Sequence, residues 1–253
     1  MKHFTTILSH EIRMLLVSAS TYIAAVLFLA VMGFIFSGVL ESYSASAQEV
    51  SPAVVFFQLF WLPVFFMVPL LTMKCLAEER RLGTLETLLT APVSTTEVVL
   101  GKYFAAYFLY LALWASTGGF FYILHRFASD ERFIDLGPLL GGYLFIAVSG
   151  LLFVAVGVFT SSLSRNQAIA GLMAFAILVA LIIGLRFVGT LEVLNLESMS
   201  GLRAALDYGN VFRHLEDFSH GVVDTRQVLY YLSSTVLALI FSILGVEAKL
   251  IHS

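Results

Sequence analysis

The side chains that do chemistry in most proteins are sparse in this sequence, and their spacing builds no reaction centre. Six histidines stand at His3, His10, His125, His214, His220 and His252, without metal-ligand spacing. His214 and His220 lie six apart and fall on different sides of a helix, which argues against a joint zinc site. The run HEIRM at His10–Met14 lacks the second histidine of a metalloprotease helix. Cys75 is the single cysteine, so an intrachain disulfide and a multi-cysteine metal site are both excluded; a buried thiol at a helix end is the plainer reading. The sequence contains no GxxxxGK[ST] phosphate loop, no GxGxxG and no GxSxG. Any ATP-driven role therefore needs a second polypeptide, and no cofactor or metal is expected in this chain.

What charge there is collects between Glu78 and Lys102, EERRLGTLETLLTAPVSTTEVVLGK. Two short helical pieces are predicted there. In the first, Leu82, Leu85 and Leu88/Leu89 recur at three-to-four-residue spacing and form one apolar face, with Glu78, Glu79, Arg80, Arg81 and Glu86 mostly elsewhere. Pro92 ends that piece and disfavours the helical conformation at Ala91. Ser94 opens the second, with Glu97 as its capping-box partner, and this helix runs through Gly101 and Lys102 into an apolar span. The pair is either a docking platform for something in the aqueous phase or a solvated connector.

The surrounding elements are membrane spans. Of 253 residues, 59% are hydrophobic and 12% charged, with mean hydropathy +0.93. A soluble domain carries about a quarter charged residues, so this composition cannot cover a water-facing surface. Six apolar segments, near 19–40, 54–76, 100–124, 138–161, 167–188 and 227–247, each reach the roughly 20 residues that cross a bilayer. The expected fold is all-α: a single polytopic membrane domain with six transmembrane helices. A cytoplasmic hairpin at 77–99 joins spans 2 and 3, and short outer helices occupy 189–226. Pro63 and Pro69 should kink the second span, either to relay movement of the hairpin or as a packing irregularity.

Ahead of the first span, residues 2–17 form an amphipathic helix suited to the membrane interface. Phe4, Leu8, Ile12 and Leu15 fall together, opposite Lys2, Thr6, Ser9, His10 and Arg13. Glu11 falls inside the apolar sector. It meets a partner subunit, meets a basic side chain of this chain, or snorkels to the interface. The run Ala45–Ser46–Ala47 has the small residues of a signal-peptidase site, but about 22 apolar residues precede it, too long for a signal-peptide core; an uncleaved span is expected.

With the N-terminus inside, Lys2, Arg13, Lys74, Arg80, Arg81, Lys102, Arg165 and Lys249 face the cytoplasm, eight of fourteen basic residues. Both termini are thus expected to be cytoplasmic. Tyr22, Tyr103, Tyr143, Tyr230 and Tyr231 stand near span ends as interfacial anchors. Net charge is −3 and no basic tract could track a phosphate backbone, so no nucleic-acid partner is expected. The spans carry almost no ionisable residues, which argues against an ion-coupled carrier. Gly142, Gly150 and Gly157 in the fourth span mark close helix approach, within one chain or between two.

In the 189–226 segment, Val211, Phe212, Leu215 and Phe218 make a short apolar face, and Gly221 is placed to end that helix after His220. Asp224 and Gln227 are expected to cap the helix of the sixth span.

The order of acidic and basic residues, GTLETLL, a Pro, a polar step and LGK resembles the cytoplasmic loop of ABC-2-type transporter permeases. SSLSRNQAIAG at Ser161–Gly171 and FRHLEDFSHGVVDTRQVLYYLS at Phe212–Ser233 resemble the branch with gliding-motility-type permeases. The resemblance implies the membrane-spanning subunit of an ATP-driven exporter in a bacterial cytoplasmic membrane. Its implied partners are a second permease subunit, identical or not, an ABC ATP-binding subunit that holds ATP and Mg, membrane lipid, and an auxiliary periplasmic protein as a further candidate. It implies that Glu11, Glu78, Glu79, Arg80, Arg81, Leu82, Gly83, Thr84, Leu85, Glu86, Leu88, Leu89 and Pro92 form the ATPase-coupling interface, the leucines as apolar knobs and the charges as rim contacts. Phe212, Leu215 and Phe218 become outer-gate candidates. The competing readings are a non-transporting membrane scaffold for an ATPase or periplasmic machine, an ATP-independent carrier, and an intramembrane enzyme.

Overall fold

The computed structural model describes residues 4–45, 50–84, 93–127, 135–189, 201, 206 and 208–250. Every regular element among them is a helix, as backbone groups in hydrocarbon require. In chain order these are α1 (Phe4–Val17), α2 (Ala19–Ala45), α3 (Pro52–Gln58), α4 (Trp61–Thr72), α5 (Ala77–Leu82), α6 (Thr95–Ser116), α7 (Gly118–Phe127), α8 (Leu136–Leu163), α9 (Gln167–Val179), α10 (Leu185–Gly189), α11 (Val211–Ser219) and α12 (Thr225–Leu250). A π-helical turn at Ala180–Gly184 joins α9 to α10.

Among the described residues, six stretches are long and apolar enough to cross a membrane: Ala19–Ser44, Trp61–Leu82, Thr95–Phe127, Leu136–Leu163, Gln167–Val188 and Thr225–Ala248. The second, third and fourth bury more than half of their most apolar window within the chain; the first, fifth and sixth bury a third or less. The α8 helix is the hub, packing against α4, α6, α9, α11 and α12. Its glycines explain how. A Cβ at Gly142, Gly150 or Gly157 would collide with Phe57, Tyr110 or Thr72, so these small residues serve contacts within one chain.

Several polar side chains inside the bundle bond within their own helix. Thr72, Ser149, Thr235 and Ser242 donate to carbonyls one turn back. Tyr103 and Tyr107 on α6 donate to the carbonyls of Leu151 (3.1 Å) and Ala147 (2.8 Å) on α8. Tyr103 and Tyr231 are thus core residues rather than interfacial anchors, whereas Tyr22 is exposed as an anchor would be.

The second span departs from the expected continuous 54–76. The chain breaks at Leu59–Phe60, and α3 is a separate short helix. Pro63 explains the break: it has no N–H for the Leu59 carbonyl, and its ring crowds that carbonyl. Leu62 N–H takes that carbonyl instead, in a tighter turn at 3.2 Å. Pro63 therefore sits in the first turn of α4 instead of kinking a span, and Pro69 is retained inside α4. A second interruption at 73–76 separates α4 from α5.

The predicted hairpin is altered in its first arm. The α5 helix stops at Leu82 because Gly83 adopts φ 71°, the left-handed C-cap that glycine occupies without strain. The helix that carries Leu82 therefore ends before Leu85. Leu85, Glu86, Leu88, Leu89 and Pro92 lie outside the described residues. In the second arm the Ser94–Glu97 capping box is present and α6 continues into the third span.

Candidate functional site

At one end of the bundle, charges that would be costly in hydrocarbon gather into a closed node. The apolar face of α1 lies against α6. Phe4 meets Phe104 edge-on at 6.0 Å, and Gly101 leaves room for Ile7, whose Cγ2 would stand 2.7 Å from any Cβ there. This packing delivers Glu11 onto Lys102. Lys102 Nζ lies 2.7 Å from Glu11 Oε1 and 2.7 Å from Glu79 Oε1, and its side chain is only 4% exposed. Of the alternatives for Glu11, the structure selects a basic side chain of the same chain. Bonds this short between ionised groups are the strong kind, and leaving one member of a buried set unpaired costs about 3–5 kcal/mol.

The neighbouring residue on α5 points the other way. The Arg80 guanidinium bonds the Ser162 carbonyl through Nη1 and donates through Nη2 to the Gly245 carbonyl at 2.8 Å. Glu79 thus ties α5 to α1 and α6, while Arg80 ties it to α8 and α12. Ser161 completes the junction. Its Oγ accepts from the N–H groups of Leu76 (3.0 Å) and Ala77 (3.1 Å), capping α5 from another span, and donates to the Met73 carbonyl.

Glu79 and Arg80, expected as rim contacts, make these bonds within the chain while staying partly exposed. Glu78, Arg81, Leu82, Gly83 and Thr84 remain on the outside of the node, with Glu78 the least exposed of them. Leu82 is 62% exposed, and Arg81 stands 3.9 Å from Glu78 in a surface pair of small energetic weight. A cavity of about 420 Å³ opens beside the node, lined by His10, Glu11, Lys74, Glu79, Leu82 and Lys102 among others.

The opposite end is closed by α11. Asn210 Oδ1 caps it by accepting from Phe212 N–H (3.1 Å) and Arg213 N–H (3.4 Å), and Gly221 follows its end at φ 76°. Leu215 and Phe218, the gate candidates, are buried in the chain's own core, Phe218 against Phe145. Only Phe212 is partly open, with the Arg186 guanidinium 4.4 Å above its ring. Gly141 makes the contact possible, since a Cβ there would strike the Phe218 carbonyl. His214 is held at both nitrogens: Nε2–H donates to the Tyr208 carbonyl (3.0 Å), which leaves Nδ1 to accept from the Tyr231 hydroxyl (2.9 Å). Burial pulls its pKa below the usual value. Asp224 Oδ1 caps α12 at Arg226 N–H, but Gln227 does not cap; it donates to Asp217.

Comparison with known proteins decides what this arrangement belongs to. The model of a family described as ABC-2 family transporter protein matches residues 40–208, more than half of the chain. The chain belongs to that family. It is a multi-pass permease component of an ABC transporter, a membrane part rather than an ATPase, and such permeases work with an ABC ATP-binding subunit. No curated protein matches the chain.

The match takes in α3 to α10 of the permease, and with them Glu79, Arg80, Lys102, Ser161 and Ser162. Glu11 and Gly245, which complete the node, lie outside it. Lys102, Ser161 and Ser162 escape sequence reasoning as site residues. The available signals are a carboxylate on an apolar face at Glu11 and a lysine entering an apolar span at Lys102. Neither identifies its partner, because the two are 91 residues apart.

Proposed function

We propose that this chain is the permease subunit of an ATP-driven ABC-2-type export complex in a bacterial cytoplasmic membrane, in the branch resembling gliding-motility-type permeases. Both termini and the Glu78–Lys102 stretch face the cytoplasm. Two permease subunits, identical or different, pair, and ATP-binding subunits carrying ATP and Mg dock on the exposed side of α5 and the segment after it.

The observation that carries this reading is the division of labour along α5. Alternate faces of one short helix are bonded inward to α1, α6, α8 and α12, while Leu82 and its neighbours stay open to solvent. An exposed apolar anchor with a charged rim suits docking, where apolar anchors dominate and rim charges contribute little. Struts to four elements suit transmission, because a force on the tip reaches most of the bundle without bending a loop. Work is then done by the binding free energy of the ATPase cycle, shifting the bundle between two packings.

Orientation is the first thing to test. In a Cys75→Ala background, single cysteines are introduced at Thr84 and at Val222, both exposed and at opposite ends. In intact cells an impermeant thiol reagent should label the Val222→Cys chain and label the Thr84→Cys chain only after permeabilisation. The reverse pattern would place the node outside and end the coupling proposal.

A further inference from the structure

We infer that the end of the permease closed by α11 holds a binding site for an anionic amphiphile, with a phosphate-type headgroup on Arg186 and Arg213 and an apolar body on Trp61. A cavity of about 610 Å³ lies there, between α3, the start of α4, the end of the fifth span and α11. That volume falls within the range of small-molecule sites, about 300–1,000 Å³.

Its walls divide by chemistry. Arg186 and Arg213 supply two planar guanidinium forks, and neither has a carboxylate partner among the described residues. Among the described residues of the lining, Glu216 is the one acidic side chain against two arginines. Arg186 is held in place by the Phe212 ring beneath it. The π-turn at Ala180–Gly184 contributes, since an extra residue per turn rotates the side chains of α10 by roughly 100°. Val54, Leu59 and Trp61 form the apolar wall.

A separate observation points to a ligand. Ser219 also lines this cavity, is 3% exposed, and its Oγ has no hydrogen-bond partner among the described residues. Buried hydroxyls are nearly always bonded, and an oxyanion in the cavity would complete this one once the Ser219 side chain turns towards it, since Oγ itself is enclosed. Anionic headgroup plus apolar body matches a site where the ends of spans meet the membrane interface. The occupant is drawn from the bilayer or is itself a passing cargo; the chemistry is shared. The inference goes beyond the export reading and does not depend on ATPase coupling, because it concerns binding to the isolated permease.

The test is quenching of Trp61 in dodecyl maltoside micelles by dibrominated phosphatidylglycerol compared with dibrominated phosphatidylcholine. Trp114, the other tryptophan, is 1% exposed and gives a constant background. Phosphatidylglycerol should quench at about tenfold lower mole fraction, the Arg186→Gln/Arg213→Gln pair should abolish that preference, and Glu216→Gln should raise it about threefold. Equal quenching by the two lipids, or a preference unchanged by the arginine pair, overturns the inference. Should the arginine pair fail to fold, Glu216→Gln decides: a raised preference supports the site and an unchanged or lowered one overturns it. Mass spectrometry of lipid retained by the wild-type permease separates the sources. Anionic lipid that the arginine pair loses marks a resident bilayer lipid, and none retained beside preferential quenching marks a transient cargo.

Discussion

Lys102 Nζ and Glu79 Oε1 lie 2.7 Å apart although 23 positions separate them, and the bond closes the end of the bundle from which α5 projects. Glu11 shares the same ammonium, so one cation serves two carboxylates. Lys102→Met would leave two part-buried carboxylates without their cation. It should lower stability by about 3–5 kcal/mol, read as a fall in detergent melting temperature. Lys102→Met combined with Glu11→Gln and Glu79→Gln should recover most of that loss, since no charge is then stranded. A triple variant no more stable than the single one would show that the node is not electrostatic.

Arg80 joins α5 to two spans, to α8 through the Ser162 carbonyl and to α12 through the Gly245 carbonyl. Arg80→Gln cannot reach the Ser162 and Gly245 carbonyls together, and about 1–3 kcal/mol should be lost. Under the proposed function the variant should still capture the ATP-binding subunit, but ATP hydrolysis should no longer respond to the permease. Wild-type coupling in Arg80→Gln would remove Arg80 from the transmission path.

Ser161→Ala would leave the Leu76 and Ala77 N–H groups buried and unbonded. The expected cost is about 1–3 kcal/mol, with Ser161→Thr retaining most of the stability. Equal loss in both variants would point to packing rather than capping.

His214 predicts a sign for pH dependence. Burial, helped by Arg213, lowers its folded pKa below the ordinary 6.5, outweighing the opposing pull of the Tyr208 carbonyl, Asp217 and Asp224. The unfolded chain then holds the proton more tightly. Stability from the neutral imidazole is complete above pH 6.5 and falls as pH drops below it, towards the folded pKa. Melting temperature measured from pH 7.5 to 5 should decline less steeply in His214→Gln than in wild type. Parallel curves would contradict the assignment.

Legibility in the sequence tracks how local each signal is. The Ser94–Glu97 box and the end of α11 before Gly221 are written within a few residues, and each is present in the structure; the six apolar lengths are continuous runs and are present too, the second shifted towards the C-terminus. Gly83 is just as local, but a leucine periodicity that runs past it masks the helix end. Pro63 reads as a mid-span kink because the sequence does not say where its span begins. Glu79 and Arg80 read as charges on a docking platform or a solvated connector, Lys102 as a lysine on a helix entering an apolar span, and Tyr103 and Tyr231 as interfacial anchors. Their partners are remote in sequence, and only helix packing turns those side chains inward.

The central claim is that the solvent-facing side of α5 is where the ATP-binding subunit grips the permease. Leu82→Asp measures it most directly, because Leu82 is exposed and its loss costs the bundle little. Co-purification of the ATP-binding subunit should fall about tenfold or more, while the variant inserts in the membrane at wild-type levels. Undiminished recovery of the ATP-binding subunit with Leu82→Asp would contradict the account.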